Sequence, residues 1–94
     1  MPRLTHLHSD GKYVTEEINV SFNDRGVGGA AIEKLAVFET VFEELVQEQE
    51  TLSQKLQEMR VAGKTSSYRY KEIMGQKLVN SSVISIFQRY GLKP

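Results

Sequence analysis

The sequence predicts an α+β fold: an N-terminal β-hairpin, one long heptad-patterned helix and two short C-terminal helices, packed as a helical-bundle homodimer. Three observations lead to this prediction: an alternating strand pattern beside an Asp-Gly pair, a long seam of regularly spaced apolar residues, and two short apolar helical patterns after it. The 94 residues suit one domain, 1–94, near the lower end of what buries a core unaided.

The segment 4–22 predicts the hairpin. Asp10-Gly11 suits a tight two-residue turn because both residue types tolerate a positive φ. With these turn residues, Leu7 lies opposite Val14. The following strand alternates, with these apolar residues on one face: Val14, Ile18, Val20 and Phe22. A two-stranded hairpin is marginal alone, so we expect this face to pack on the long helix or on another subunit.

Residues 23–29 read as a glycine-containing loop, and residues 30–62 as the long helix, which ends at Gly63. The helix carries a seam with alternating spacings of three and four residues. Its a positions are Leu35, Phe42, Gln49 and Leu56, and its d positions are Phe38, Leu45, Leu52 and Met59. Such a seam keeps one narrow stripe facing a partner helix.

Two short helices, about 67–79 and 83–90, are expected within 67–90. Ser67 and the two hydroxyl residues before it offer an N-cap for the first. We place a break at residues 80–82, because one continuous helix would put the two apolar sets on nearly opposite sides. The β-branched segment 83–87 fits a helix better than a strand, although a strand joining the hairpin remains an alternative.

The length of the seam predicts self-association. A helix over 30–62 is about 50 Å long, whereas a compact monomer of this size is only about 30 Å across. A second helix over 67–79 spans about 20 Å and covers less than half of the seam. We therefore expect a second copy to cover the rest. Gln49 either specifies register or partner number, or lies at a solvated edge of the seam.

The formal net charge is zero but unevenly distributed. Residues 29–59 carry a net charge of −5, and residues 60–94 carry +6. We favour an interpretation in which the basic segment folds back on the acidic helix. The alternative is an exposed basic face that contacts DNA or RNA. The candidate nucleic-acid contacts are Arg60, Lys64, Arg69, Lys71 and Lys77.

Patterns associated with catalysis or cofactors are weak. Residues 26–31 match G-x-G-x-x-A, but the seam helix follows where a dinucleotide site needs a second parallel strand. His6 and His8 with Glu17 could ligate Zn²⁺, but the polar face of a strand explains them better. The chain has no Cys. We therefore expect no enzyme activity, no cofactor and no metal.

The sequence thus favours a small, non-enzymatic homo-oligomeric interaction or assembly protein. Its partners would be a second copy of itself and, as an open alternative, another protein. A small DNA- or RNA-binding regulator is the rival hypothesis. No apolar run approaches the roughly 18 residues of a membrane span, and no signal-peptide core follows Arg3, so we expect a cytoplasmic protein.

Overall fold

The structure of the protein, a computed structural model, describes residues 2–93 and confirms the α+β class. The elements are β1 (Thr5–Leu7), β2 (Tyr13–Thr15), a 3₁₀ turn (Glu17–Asn19), β3 (Ser21–Asn23), β4 (Gly26–Gly28), α1 (Ala30–Val61) and α2 (Tyr68–Arg89). The chain forms two compact units, Met1–Thr40 and Val41–Pro94, and the boundary between them falls inside α1.

The first hairpin forms, but in a different register. Strands β1 and β2 are antiparallel, with Leu7 opposite Tyr13 and His6 opposite Val14. The predicted pairing of Leu7 with Val14 is therefore wrong by one residue. Because side chains alternate between faces, this shift changes which residues share a face across the hairpin.

A three-residue turn causes the shift. The His8 backbone N–H donates to the Lys12 carbonyl at 2.8 Å, which leaves three residues in the loop. A two-residue type I′ turn needs a positive φ at both central positions. Gly11 has φ +83°, whereas no non-glycine residue within 2–93 has a positive φ. Asp10 instead accepts a hydrogen bond from the Lys12 N–H through Oδ1 at 2.9 Å.

The predicted long second strand is interrupted. After Thr15 the chain makes the 3₁₀ turn before β3 begins. The Thr15 hydroxyl donates to the Leu4 carbonyl at 2.7 Å and accepts from Asn19 Nδ2 at 3.1 Å. These side-chain bonds offer the backbone an alternative to a continuing strand ladder. The prediction of one uninterrupted strand to Phe22 is thus wrong.

The predicted loop over 23–29 is a second hairpin instead. Strands β3 and β4 pair antiparallel, with Phe22 opposite Val27 and Asn23 opposite Gly26. Asn23 Oδ1 accepts from the Arg25 N–H at 2.8 Å, an Asx-type bond that closes the turn between the strands. The sheet structure is therefore two separate two-stranded hairpins.

The long helix is confirmed, and glycines lie just outside both of its ends. Gly29 precedes it with φ +107°. A Cβ there would lie 2.7 Å from the Asn19 carbonyl oxygen, so only glycine fits this approach. At the other end Gly63, with φ +71°, donates to the Arg60 carbonyl, and the Lys64 N–H donates to the Met59 carbonyl. This pair of bonds is a Schellman C-cap.

The predicted pair of short C-terminal helices is wrong, because α2 is one continuous helix of 22 residues. Its N-cap is Ser67 as predicted, and the Ser67 hydroxyl accepts from the Tyr70 N–H at 3.1 Å. Residues 83–87 lie within this helix, so the strand alternative for them is also wrong.

No helix within residues 2–93 is both long enough and apolar enough to cross a membrane. The cytoplasmic location and the single-domain organisation stay predictions.

Candidate interaction surfaces

The C-terminal half of the seam is covered by α2 of the same chain. Leu52 and Leu56 are buried against Ile73, and half-buried apolar side chains surround them: Met59, Tyr70 and Met74. Nearer the start of α1, the ring centroids of Phe42 and Phe87 are 5.0 Å apart. Residues late in α1 thus contact residues early in α2, so the two segments run antiparallel. A 22-residue helix is about 33 Å long, which removes the need for a second copy over residues 42–59.

A polar layer joins the two helices near their middle. Asn80 is buried, with 3% of its surface exposed. Its Nδ2 donates to Glu48 Oε1 at 2.8 Å, and its Oδ1 accepts from Gln76 Nε2 at 2.9 Å. Gln49 donates through Nε2 to Ser81 Oγ at 2.8 Å and to the carbonyl of residue 77 at 3.1 Å. Gln49 is therefore half-buried and bonds to α2 of the same chain.

This polar layer explains why the sequence suggested a helix break. The inward-facing positions of α2 recur at alternating spacings of three and four residues. They are Tyr70, Ile73, Lys77, Asn80, Ile84 and Phe87, with Met74 and Val83 half-buried beside them. Two of these six are polar, and apolar residues outside the row, Leu78, Ile86 and Tyr90, are exposed, so apolar residues alone indicate two helices with different faces. The missed signal was that Gln49, also polar at a seam position, would meet polar residues on the facing helix.

The first two positions of the seam are uncovered. Leu35 is 54% exposed and Phe38 is 46% exposed, and no side chain in residues 2–40 is buried. In the hairpins Ile18 and Phe22 are more than four-fifths exposed. These two residues of the apolar hairpin face, which was expected to pack on the long helix or on another subunit, are therefore uncovered within this unit.

A groove of about 460 Å³ lies against this uncovered part of α1. It is lined by Arg3, Leu4, Thr5, Ala31, Lys34, Leu35 and Phe38. Two cations hold positions at its rim: Arg3 Nε donates to the Thr5 carbonyl at 3.0 Å, and Lys34 Nζ donates to the Pro2 carbonyl at 2.6 Å. Its lining contains no carboxylate, so the groove combines an apolar wall with a positive rim.

The five candidate nucleic-acid residues do not converge on one face. Arg60 bonds to the Tyr70 hydroxyl at 3.0 Å, and Arg69 pairs with Glu72. Lys71 is about 200° around the helix from Arg69, while Lys64 lies in the turn between the helices and Lys77 is half-buried. Across residues 2–93 no Lys or Arg of α2 forms an ion pair with a carboxylate of α1. Although α2 folds back on α1, the expected charge pairing is therefore not what joins the helices.

The remaining candidate motifs form no site. Gly26 and Gly28 belong to β4, and Gly29 permits the close approach of Asn19 described above. His8 Nδ1 lies 3.5 Å from Asp10 Oδ1. In the described part of the chain, no three His, Cys, Asp or Glu side chains come together to hold a metal ion.

Comparison of the chain with protein families, with curated proteins and with solved structures finds no match. The surfaces described above therefore carry the functional inference.

Proposed function

We propose that this chain is a small, non-enzymatic interaction or assembly protein that self-associates through the first two positions of its seam, most simply as a two-fold dimer. One observation carries the proposal. Residues 2–40 present large apolar side chains in helical register, Leu35 and Phe38 among them, yet bury none. The same seam farther along α1 is covered by α2.

Covering these side chains would release a useful amount of free energy. Fully burying a Leu or Phe stabilises by about 1.5–3 kcal/mol. Leu35 and Phe38 are about half exposed, so each still has about 0.8–1.5 kcal/mol to gain. Two copies bring four such side chains together, which amounts to about 3–6 kcal/mol per dimer. The exposed hairpin residues Ile18 and Phe22 would add to this if the second copy reaches them.

The test is the mass of the protein in solution, measured by light scattering and by sedimentation over a range of concentrations. The parent protein should give a dimer that dissociates on dilution. The double variant Leu35→Asp/Phe38→Asp should be monomeric while keeping its helical circular dichroism, because the buried cluster of α1 and α2 lies elsewhere. Val37→Asp is the matched control, since Val37 is 62% exposed on the same helix but lies outside the seam.

A monomer at every concentration of the parent protein would refute the proposal. Dissociation by Val37→Asp as strong as that by the seam variant would show that the association uses a different face. If the partner is a different protein, the parent chain should be monomeric alone and should bind that protein, and Leu35→Asp/Phe38→Asp should abolish the binding. That result would replace self-association as the assembly mode.

A small nucleic-acid-binding regulator is the second candidate. The observation favouring it is that the basic residues of α2 do not pair with the carboxylates of α1 within residues 2–93. Tyr68, which is 81% exposed beside Arg69, offers a ring on which an unpaired base could stack. The separation of Lys71 from Arg69 around α2 counts against one continuous contact surface.

Retention of a single-stranded oligonucleotide at low salt tests this candidate, because even non-specific binders hold nucleic acid there. Lys64→Ala and Lys71→Ala should each weaken binding and flatten the salt dependence by about one unit per lost phosphate contact. Lys55→Ala, an exposed lysine of α1 outside the basic segment, is the control. No retention of the oligonucleotide by the parent protein would eliminate the candidate.

A further inference from the structure

We infer that Ile18 of each copy inserts into the groove of the other copy, where Glu16 and Glu17 face the positive rim formed by Arg3 and Lys34. This inference rests on the self-association proposed above and names the segment of the second copy that fills the groove.

The length of the groove fits a turn and not a long helix. Along α1 it extends from Ala31 to Phe38, a separation of seven residues or about 10 Å. One helical turn further on, the ring of Phe42 already contacts Phe87 of α2. A long helix laid along the seam would therefore collide with α2. The 3₁₀ turn that carries Ile18 has three residues and is only about 6 Å long.

Ile18 is an exposed side chain on a backbone that is already ordered. At 86% exposure it is the most exposed large apolar residue within residues 2–93. Two backbone hydrogen bonds close the turn: the Asn19 N–H donates to the Glu16 carbonyl at 2.9 Å, and the Val20 N–H donates to the Glu17 carbonyl at 3.1 Å. A preformed turn loses little conformational entropy on binding, so the gain from burying Ile18 is largely retained.

The charges of the turn and of the groove are complementary. Glu16 and Glu17 are exposed beside Ile18, and residues 13–23 contain no Lys or Arg. The groove has Arg3 and Lys34 at its rim and no carboxylate in its lining. Within residues 2–93 none of these four charged side chains forms an ion pair. Bringing the turn of a second copy to the rim therefore places opposite charges together.

Phe22 is the other strongly exposed apolar residue of this unit, and its surroundings fit the rim less well. It is 83% exposed. The hairpin turn that follows it contains Asp24 and Arg25, whose charges cancel, whereas the turn around Ile18 carries two negative charges. Charge therefore selects Ile18 over Phe22 as the residue that enters the groove.

The turn and the groove lie side by side, as a two-fold contact requires. Leu4 lines the groove, and its carbonyl accepts from the hydroxyl of Thr15, three residues before Ile18, at 2.7 Å. Gly29, just before α1, lies close to the backbone of Asn19 in the same turn. A two-fold dimer brings the same patch of both copies together. Each copy can thus insert one Ile18 and receive the other, and the assembly closes at two copies.

Truncation of Ile18 tests the contact. Ile18→Ala should raise the dissociation constant of the dimer, measured by sedimentation, by at least about tenfold, because a symmetric dimer loses the buried side chain twice. The urea midpoint of the dilute, monomeric chain should not change, because Ile18 is exposed in a single copy. Phe22→Ala, a matched truncation in the same unit, should leave the dissociation constant nearly unchanged.

Charge reversal tests the rim. Glu17→Lys and Lys34→Glu should each raise the dissociation constant by roughly threefold to tenfold, and the double variant Glu17→Lys/Lys34→Glu should recover most of that loss. The hydrogen bond from Lys34 to Pro2 is absent from both Lys34 variants, so its loss cannot explain the recovery. Lys12→Glu, an exposed lysine outside the groove, is the control for the change in total charge.

Cysteine crosslinking tests which segments meet, and the chain has no cysteine of its own. On mild oxidation, a mixture of Ile18→Cys with a heavier, tagged Ala31→Cys chain should give a disulfide-linked mixed dimer, since a disulfide needs Cα atoms within about 7 Å. A mixture of Phe22→Cys with the same tagged chain is the control and should give no mixed dimer.

The outcomes separate this inference from the proposal beneath it. A parent dimer that is unaffected by Ile18→Ala, is weakened as much by Phe22→Ala, or forms no mixed disulfide overturns the insertion of Ile18 and leaves self-association intact. Charge variants that show no recovery overturn the contact with the rim, and a mass that grows beyond two copies overturns the two-fold exchange. A parent protein that stays monomeric removes both the inference and the proposal.

Discussion

Leu56 and Leu35 occupy equivalent a positions on one helix, yet the structure gives them different surroundings, and truncating each to alanine measures that difference. Leu56 is completely buried, in contact with α2, whereas Leu35 is 54% exposed. We expect Leu56→Ala to destabilise the fold of every single chain. Leu35→Ala should act mainly on the association between chains.

The magnitudes follow from burial. Removing a fully buried Leu side chain costs its transfer free energy and leaves a cavity, together about 2–5 kcal/mol. Since domains of this kind are stable by only about 5–15 kcal/mol, Leu56→Ala removes a large part of the total. For a chain of this length each kcal/mol lowers the melting temperature by about 4–8 °C. Leu35→Ala should cost the isolated chain at most about 1 kcal/mol, because about half of the side chain already contacts water.

Urea unfolding followed by circular dichroism, repeated over a range of protein concentrations, is the assay. The loss of unfolding free energy caused by Leu56→Ala should be independent of protein concentration. The loss of unfolding free energy caused by Leu35→Ala should grow at concentrations where the parent protein associates. Equal losses for the two variants at every concentration would contradict the reasoning. They would mean that the surroundings of Leu35 and Leu56 are equally covered.

Three further outcomes test the fold. Asn80→Ala should lower the unfolding free energy by about 1–3 kcal/mol, because it removes a buried amide that joins the helices. Ser82→Ala should change the urea midpoint little, because the Ser82 hydroxyl bonds only within α2. Gly29→Ala should lower the unfolding free energy by more than about 1 kcal/mol, since the added Cβ would lie 2.7 Å from the Asn19 carbonyl oxygen. It should also weaken the protection of backbone amides in residues 2–40 against hydrogen exchange. Gly75→Ala, the matched exchange at an open position inside α2, should instead raise the unfolding free energy by about 0.5–1 kcal/mol. A loss for Gly75→Ala, or an unchanged stability for Gly29→Ala, would contradict these assignments.

Local signals in the sequence predicted several elements correctly. The seam, with glycines beyond both of its ends, predicted α1 nearly to the residue, and the hydroxyl group of Ser67 predicted the start of α2. These predictions succeeded because helix periodicity and capping depend on residues only a few positions apart. The hairpin turn was found at Gly11 for the same reason, although the number of residues in the turn was not.

Predictions that depended on contacts between distant residues were less accurate. The register of the first hairpin depends on hydrogen bonds across the turn, and the end of β2 depends on Thr15 bonding to Leu4 and Asn19. The break expected at residues 80–82 came from the two apolar sets lying on nearly opposite sides of one helix, and it overlooked that the polar side chain of Asn80 could be buried. In the structure that polarity is satisfied by Glu48 and Gln76.

The candidate surface was only partly visible in the sequence. The eight seam residues form a single pattern along the chain, and nothing in that pattern separates Leu35 and Phe38 from Leu52 and Leu56. The groove also needs Arg3 and Leu4, which lie far from α1 in sequence and are brought to it by the chain fold. The groove could therefore not be deduced from periodicity.

By itself the sequence determined that α1 is a long helix with one narrow apolar stripe, because the spacing of its residues matches the turn of a helix. Only the tertiary structure decided which part of that stripe remains available. A continuous α2, held by the polar layer, covers the stripe from Phe42 to Met59 within the chain and leaves Leu35 and Phe38 exposed. The physical reason is that periodicity specifies which side of a helix must be covered, whereas the extent of the cover depends on the length of the facing helix and on polar pairs between residues far apart in the chain.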